Sequence, residues 1–94
     1  MREIERKIIY SGAFRRDFKR LENASTSLEE FDKIINLLIW DKRLPIKARD
    51  HALSGNWSDY RECHVEYDLL LIYKKPNQDE IKLFRIGSHS SVFG

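Results

Sequence analysis

Tyr60-Arg61-Glu62-Cys63-His64-Val65-Glu66-Tyr67, followed after Asp68 by Leu69-Leu70-Leu71-Ile72-Tyr73-Lys74-Lys75, is the stretch that decides the fold. Its pattern has a period of two, that of an extended strand whose side chains alternate between faces. In the first half Tyr60, Glu62, His64 and Glu66 share one face, and Arg61, Cys63, Val65 and Tyr67 share the other. The apolar, β-branched and aromatic run from Leu69 predicts a second strand, and Glu80 to Gly87 predicts a third. Lys75-Pro76-Asn77-Gln78-Asp79 joins the last two and has the composition of a turn.

Upstream of Tyr60 the period changes. Pro45 to Asp59 holds no sustained pattern, although Ile46 to Arg49 fits one helical turn. Leu28, Phe31, Ile34, Ile35 and Leu38 form the apolar stripe of a helix that reaches about Asp41, before Leu44-Pro45 stops it. Ser27-Leu28-Glu29-Glu30 reads as its capping box. An earlier helix carries Phe14, Phe18 and Leu21 inward, with Arg15, Arg16, Lys19 and Arg20 outward, and Asn23-Ala24-Ser25-Thr26 breaks it. Before it, Ile4 to Tyr10 ends in Lys7-Ile8-Ile9-Tyr10, a short first strand closed by Ser11-Gly12. The order is βααβββ, an α+β fold. A helical hairpin is expected on one face of a small, mainly antiparallel four-stranded sheet, with the opposite face free for a ligand.

Ninety-four residues allow one domain, spanning 1–94, with a single core. Lys and Arg number 17 against 15 Asp and Glu, so a wholly basic nucleic-acid coat is excluded and any polyanion site must be local. Cys63, the one cysteine, has no partner for an internal disulfide, which points to a reducing, cytoplasmic setting. The charged Met1-Arg2-Glu3-Ile4-Glu5-Arg6-Lys7 lacks the apolar core of a signal peptide. The longest apolar run, Leu69 to Tyr73, is far short of the ~20 residues that span a bilayer, so no membrane partner is expected.

Side chains capable of proton chemistry concentrate in the second half: His51, His64 and His89, with Asp68, Glu62, Glu66 and Arg85 near them. Residues 1–50 hold 12 basic and 9 acidic side chains, a balance of +3, whereas residues 51–94 hold 5 and 6, a balance of −1. The cations gather as Arg15, Arg16, Lys19 and Arg20 on the first helix and as Lys42, Arg43, Lys47 and Arg49 after the second. They suit a phosphate-contacting surface; the plain alternative is a solvated face. Likewise the histidines are either reactive groups or ordinary surface residues. His64-x-x-x-Asp68 would pair two metal ligands on a helix, but within a strand and turn the spacing loses that meaning, so neither metal nor cofactor is expected. Cys63 faces away from His64 and reads as a buried filler; Trp57, Tyr60 and Phe93 are candidates for stacking on bases, and Trp40 for packing at the end of its helix.

Three blocks together carry a family signature: Arg49 to Trp57, which contains Asp50-His51-Ala52-Leu53-Ser54-Gly55-Asn56-Trp57; Tyr60 to Tyr73; and Leu83 to Gly94, which contains Arg85-Ile86-Gly87-Ser88-His89 and ends Val92-Phe93-Gly94. They resemble the YafQ branch of the RelE/ParE toxin superfamily, the toxin halves of bacterial type II toxin–antitoxin pairs. The first-strand Ile8-Ile9-Tyr10-Ser11 is similar as well. The resemblance implies the RelE-like microbial ribonuclease fold and a ribosome-dependent endoribonuclease, an mRNA interferase that cuts mRNA in the decoding site and inhibits translation. Its functional histidines fall on His51, His64 and His89, its carboxylate on Asp68, its site arginine on Arg85 and its C-terminal aromatic on Phe93. Two positions depart from the pattern: Leu69 stands where relatives often carry Trp, and Glu62 where a close relative has Asp. The implied partners are a cognate antitoxin, the ribosome with its mRNA, and operator DNA for the toxin–antitoxin complex.

RNA can be cut without metal when its 2′-OH attacks the adjacent phosphate. That needs a base for the hydroxyl, an acid for the departing 5′-oxygen and cations for the phosphate. Imidazole, with a reference pKa of ~6.5, fills either proton role near neutrality. The expected assignment is His89 as one acid/base group, His51 or Asp68 as its counterpart and His64 orienting them. Arg85 with Glu62 would serve phosphate and RNA binding, and Phe93 would stack on a base. A catalytically weak RNA- or antitoxin-binding module of the same fold is the alternative.

Overall fold

The computed structural model describes residues 4–24 and 26–93. Part of the charged N-terminal run (Met1, Arg2, Glu3), Ser25 of the helix break and Gly94 of the third signature block lie outside the described residues. In chain order the elements are β1 (Lys7–Tyr10), α1 (Gly12–Asn23), α2 (Glu29–Ile39), a 3-10 turn at Ile46–Ala48, β2 (His51–Ala52), a second 3-10 turn at Gly55–Trp57, β3 (Arg61–Glu66), β4 (Leu69–Asn77), β5 (Glu80–Gly87) and α3 (His89–Phe93). The sheet order is β1-β5-β4-β3-β2. Only β1 and β5 run parallel; the other pairs are antiparallel.

The sheet is thus mainly antiparallel, as expected, but has five strands rather than four. The extra strand is the two-residue β2, which pairs His51 with Glu62 and Ala52 with Arg61 and moves His51 from a loop to a sheet edge. Two residues display no period, which is why the sequence pattern is silent there. The Ser27 capping box does not form: α2 starts at Glu29 with Leu28 at its cap position and no side-chain cap bond. Glu30 instead takes an ion pair from Lys33 at 3.1 Å on the same helix. Three acidic residues in the first turn, Glu29, Glu30 and Asp32, complement the exposed backbone N–H groups in place of a cap.

α1 and α2 cover one face of the sheet. Cys63, Leu71, Tyr73, Ile81, Leu83 and Ile86 point into that layer and meet Phe14, Phe31, Ile34 and Leu38. The two helices touch through rings, with Phe18 and Phe31 centred 5.2 Å apart and Phe14 and Phe31 6.1 Å apart. Each core Leu, Ile or Phe removed from water in this layer contributes about 1.5–3 kcal/mol.

A register shift where Ile72 pairs with Arg85 and Tyr73 with Leu83 makes Phe84 an extra residue in β5. This bulge returns Ile86 to the core side, three residues after Leu83, and sends both Phe84 and Arg85 elsewhere. The face opposite the helices is not bare, contrary to expectation. A Cβ built on Gly87 would lie 2.5 Å from Ser91 Oγ, so α3 rests closely on that side of the sheet, over the pair Gly87 and Leu70. Trp57, Tyr60 and Phe84 cluster with centroids 4.9–5.6 Å apart.

Candidate active site

β3 presents Glu62 and His64 on the face away from the helices, and Cys63 between them is fully buried in the core. Burial pushes the Cys63 thiol up to about 12, so it is a neutral filler, as its place in the alternation predicts. Glu62 is itself buried, with Oε1 3.5 Å from His64 Nε2 and 4.0 Å from His51 Nε2. β2 makes this possible, because its register sets His51 directly opposite Glu62. His51 Nδ1 lies 2.6 Å from the Arg49 carbonyl oxygen, which can only accept, so Nδ1 carries the hydrogen. Nε2 is therefore the ring nitrogen turned toward Glu62. Arg49 holds that carbonyl in place from a left-handed backbone conformation, φ 48°.

Asp68 also has a positive φ, 54°, at the tight turn between β3 and β4. Its Oδ1 accepts the backbone N–H of His89 at 3.2 Å, which ties the start of α3 to the turn. Within α3 the rings of His89 and Phe93 lie 5.1 Å apart, so Phe93 stands against His89 and remains partly exposed. His64, Asp68 and His89 line one open cleft of about 950 Å³, whose other wall carries Glu30 and Lys33 of α2 and Lys47 and Arg49. Tyr67, at the turn, stands at this cleft fully exposed. Three of the expected site residues are thereby brought together, and His51 joins them through Glu62. Among the described residues no group of three or more His, Cys, Asp or Glu side chains is arranged to hold a metal ion.

Arg85 is placed differently from the expectation of a free phosphate-binding cation. Its Nε and Nη2 donate to the two carboxylate oxygens of Asp17 on α1 at 2.6 and 3.1 Å, and Nη2 also donates to the Ser91 carbonyl of α3 at 3.3 Å. The Asp17 bonds raise the Arg85 pKa further, fixing the guanidinium as a cation. Asp17 is the residue that sequence reasoning missed. The signal was present, since an aspartate three residues after Phe14 and four before Leu21 lies on the apolar stripe, where a charge needs a buried partner.

The remaining candidates are exposed. Arg15, Arg16, Lys19 and Arg20 stand out from α1, and Lys42 and Arg43 from the segment after α2, whereas Lys47 and Arg49 belong to the cleft. Trp57 leans on Tyr60 and Phe84 with much of its ring open, and Trp40 sits at the C-terminal cap of α2. Asp50, next to His51, is engaged by Arg61 at 2.9 Å and by the Tyr73 hydroxyl, a bracing trio beneath the site.

Known proteins share this arrangement. A family model described as the bacterial toxin of the type II toxin–antitoxin system, YafQ, matches residues 6–94. The mRNA interferase toxin YafQ of Escherichia coli (strain K12) is 37% identical over 93 residues, which covers 97% of this chain and 99% of that protein. The crystal structure of the E. coli DinJ-YafQ toxin–antitoxin complex contains a chain that superposes with a TM-score of 0.87 at 36% identity, covering 97% of this chain and 100% of that one. A metal-bound toxin from Helicobacter pylori superposes with a TM-score of 0.84 at 38% identity, over 93% of this chain and 98% of that one. No helix among the described residues is long and apolar enough to cross a membrane. With a match to nearly the whole sequence and to the whole fold, the chain belongs to the YafQ family of bacterial type II toxins.

Proposed function

We propose that the chain is an mRNA interferase that cuts message on the ribosome by metal-independent attack of a 2′-OH on the adjacent phosphate. The observation that carries this reading is the single cleft shared by His64, Asp68 and His89, walled by Lys47 and Arg49. Its groups are those the reaction needs: two proton-transfer side chains and nearby cations for the phosphate. His89 is one acid/base group. Asp68 is its counterpart in preference to His51, because it lines the cleft with His89 and His51 does not. The base removes the 2′-OH proton as that oxygen bonds to phosphorus. The acid protonates the 5′-oxygen as its bond to phosphorus breaks, leaving a 2′,3′-cyclic phosphate and a 5′-OH. His64 orients the pair from β3, with Glu62 and His51 behind it.

The exposed cations of α1 and of the 42–43 segment are the surface for rRNA, and Phe93 and Trp57 offer faces for stacking on bases. A near-neutral chain lacks the charge to hold RNA indiscriminately, which suits an enzyme whose substrate is presented by the ribosome. By analogy with the E. coli complex, the partner is a cognate antitoxin; a cytoplasmic setting and binding of the pair to operator DNA are what the family resemblance implies.

The test is brief expression without a partner, followed by mapping of mRNA 5′ ends with and without active ribosomes. His89→Ala is expected to abolish translation-dependent cuts and growth arrest, a loss of about 10²–10⁴-fold, while the protein stays folded. Persistent toxicity in a soluble variant overturns the mechanism. Because the Helicobacter pylori relative is metal-bound, purified toxin should also be assayed on programmed ribosomes after chelation. Undiminished cleavage is expected, and rescue only by added metal would remove the metal-independent step.

A further inference from the structure

Asp17 is a charged side chain on the inward face of α1, only 5% exposed, and none of the proposed chemical steps uses it. Its surroundings explain why it is there. β1 follows β5 only as far as Tyr10 opposite Leu83, and beyond that point the edge of β5 has no strand beside it. α1 takes over the hydrogen bonding. Ser11, its N-terminal cap, accepts from the Phe14 N–H and donates Oγ to the Phe84 carbonyl at 2.6 Å, and Asp17 Oδ2 accepts the Ile86 N–H at 3.1 Å. The β5 bulge at Phe84 turns Arg85 out of the core alternation, so its guanidinium meets the same carboxylate through Nε and Nη2.

Arg85 in turn reaches α3. Its Nη2 donates to the Ser91 carbonyl, while the other end of α3 is tied by the bond from the His89 N–H to Asp68. The five-residue helix that carries His89 is therefore held at two points, and one of them runs back to Asp17. Three of the five N–H groups of Arg85 are spent on Asp17 and Ser91; the other two, on Nη1, are not used by these contacts.

From this we infer that Asp17 is a positioning residue of the cleft: it fixes the Arg85 guanidinium, and through it α3, so that His89 and the free edge of Arg85 meet the substrate phosphate in one geometry. The inference rests on the reading of His89 as a site residue and on the resemblance that sets a site arginine at Arg85, which stands beside the cleft without lining it. Asp17 touches no reacting atom. A bidentate carboxylate sets the plane of the guanidinium as well as its place, which a neutral or monodentate partner does not.

The test is a double-mutant cycle on the full chain, with cleavage of mRNA in programmed ribosomes read at saturating toxin and melting temperature read alongside. Asp17→Asn is expected to lower the saturating rate by about 10- to 100-fold in folded protein, the scale of a misplaced catalytic group. In an Arg85→Ala background the same substitution should leave the already low rate unchanged. There it should also cost less stability than in the parent, because the buried carboxylate, left with the Ile86 N–H and the more distant Arg20, has lost its bidentate partner. A purely structural role would lower stability and leave the saturating rate of the folded protein unchanged. A wild-type rate in folded Asp17→Asn, or an equal further loss in the Arg85→Ala background, overturns the inference. Wild-type rates in Arg85→Ala take Arg85 out of the site and overturn the inference, while leaving the His89 reading to its own test. If Asp17→Asn does not fold, Asp17→Glu keeps the charge but displaces the guanidinium. It should fold, lose rate and shift the His89 imidazole resonance in NMR; an unshifted resonance with full rate counts against the inference.

Discussion

On the side of the sheet turned toward α1 and α2, Cys63, Leu71, Leu83 and Ile86 make an apolar layer in which the buried polar atoms are paired; on the other side the same strands carry Glu62, His64, Arg85 and the α3 contact at Gly87. Neighbouring residues therefore serve opposite ends, with Cys63 sealed between Glu62 and His64. The helix-covered face derives its stability from area removed from water, which tolerates no charge without a partner. The α3 face keeps polar groups in place by linking them in chains: His51 to the Arg49 carbonyl, Asp68 to the His89 N–H, Arg85 to Asp17. A strand needs no special residue for this, only the alternation of its side chains.

The sharpest way to break this contrast is to truncate neighbours on the two faces. Leu71→Ala should cost about 2–5 kcal/mol of unfolding free energy, the range for a fully buried leucine. His64→Ala, on the half-buried side, should cost less than about 1 kcal/mol while impairing cleavage. Urea unfolding and ribosome cleavage assays on both variants decide this; a large stability loss in the histidine variant would mean that the site face is also a stability core.

The next effect is alkaline. In the unfolded chain the Cys63 thiol ionises near its ordinary value of about 8.5, whereas burial holds it near 12 in the fold. Its contribution is complete below about pH 8.5 and is lost as pH rises toward 12, because the unfolded state sheds the proton first. One unit above the ordinary value this amounts to about 1.4 kcal/mol. Tyr73, raised first by burial and then by its bond to Asp50, adds to the same decline at higher pH. The urea midpoint should fall less between pH 7.5 and pH 10 in Cys63→Ala than in the parent chain; an equal fall would contradict the assignment. The smallest expected effect concerns a surface that neither face contains. Replacing Arg15, Arg16 and Lys19 by Gln should flatten the salt dependence of ribosome binding by about 0.7–0.9 per lost phosphate contact, with little change in stability. Arg20 is left in place because its Nη1 lies 3.9 Å from Asp17. An unchanged slope would make those cations ordinary solvated charges.

β3, β4 and β5 were legible because six to nine residues alternate or run apolar and β-branched or aromatic, and α1 and α2 because their stripes repeat every three or four. His64, Asp68 and His89 were legible as residue types, and the strand reading set His64 opposite Cys63. What failed had too little chain to show a pattern, or depended on partners far away. β2 has two residues, and α3 has five with no apolar stripe. The Ser27 motif reads as a cap in isolation, yet the chain enters α2 one residue later. Lys47 and Arg49 looked like part of a general basic surface until the 3-10 turn swung them to the cleft wall. The β5 bulge was written in the spacing of Leu83 and Ile86, which cannot share a face in a regular strand, but that becomes decisive only once both are known to be core.

The parallel pairing of β1 with β5 aligns Lys7 with Glu80, and it places the last strand in the sequence between the first and the fourth. In kinetic terms this is a contact of long loop closure, formed late and at an entropic cost that local helices and hairpins do not incur. The two central hairpin strands can pair early, but the edge that Ser11 and Asp17 complete exists only after β5 has docked on β1. A chain still short of that step already has β3, β4 and β5 paired, and with them His64, Asp68 and His89; it lacks the Ser11 and Asp17 contacts that steady Arg85. The long loop closure therefore completes the edge beside the cleft, not the strands that bear the histidines, and slowing β1 docking on β5 should delay full activity without altering the rate finally reached.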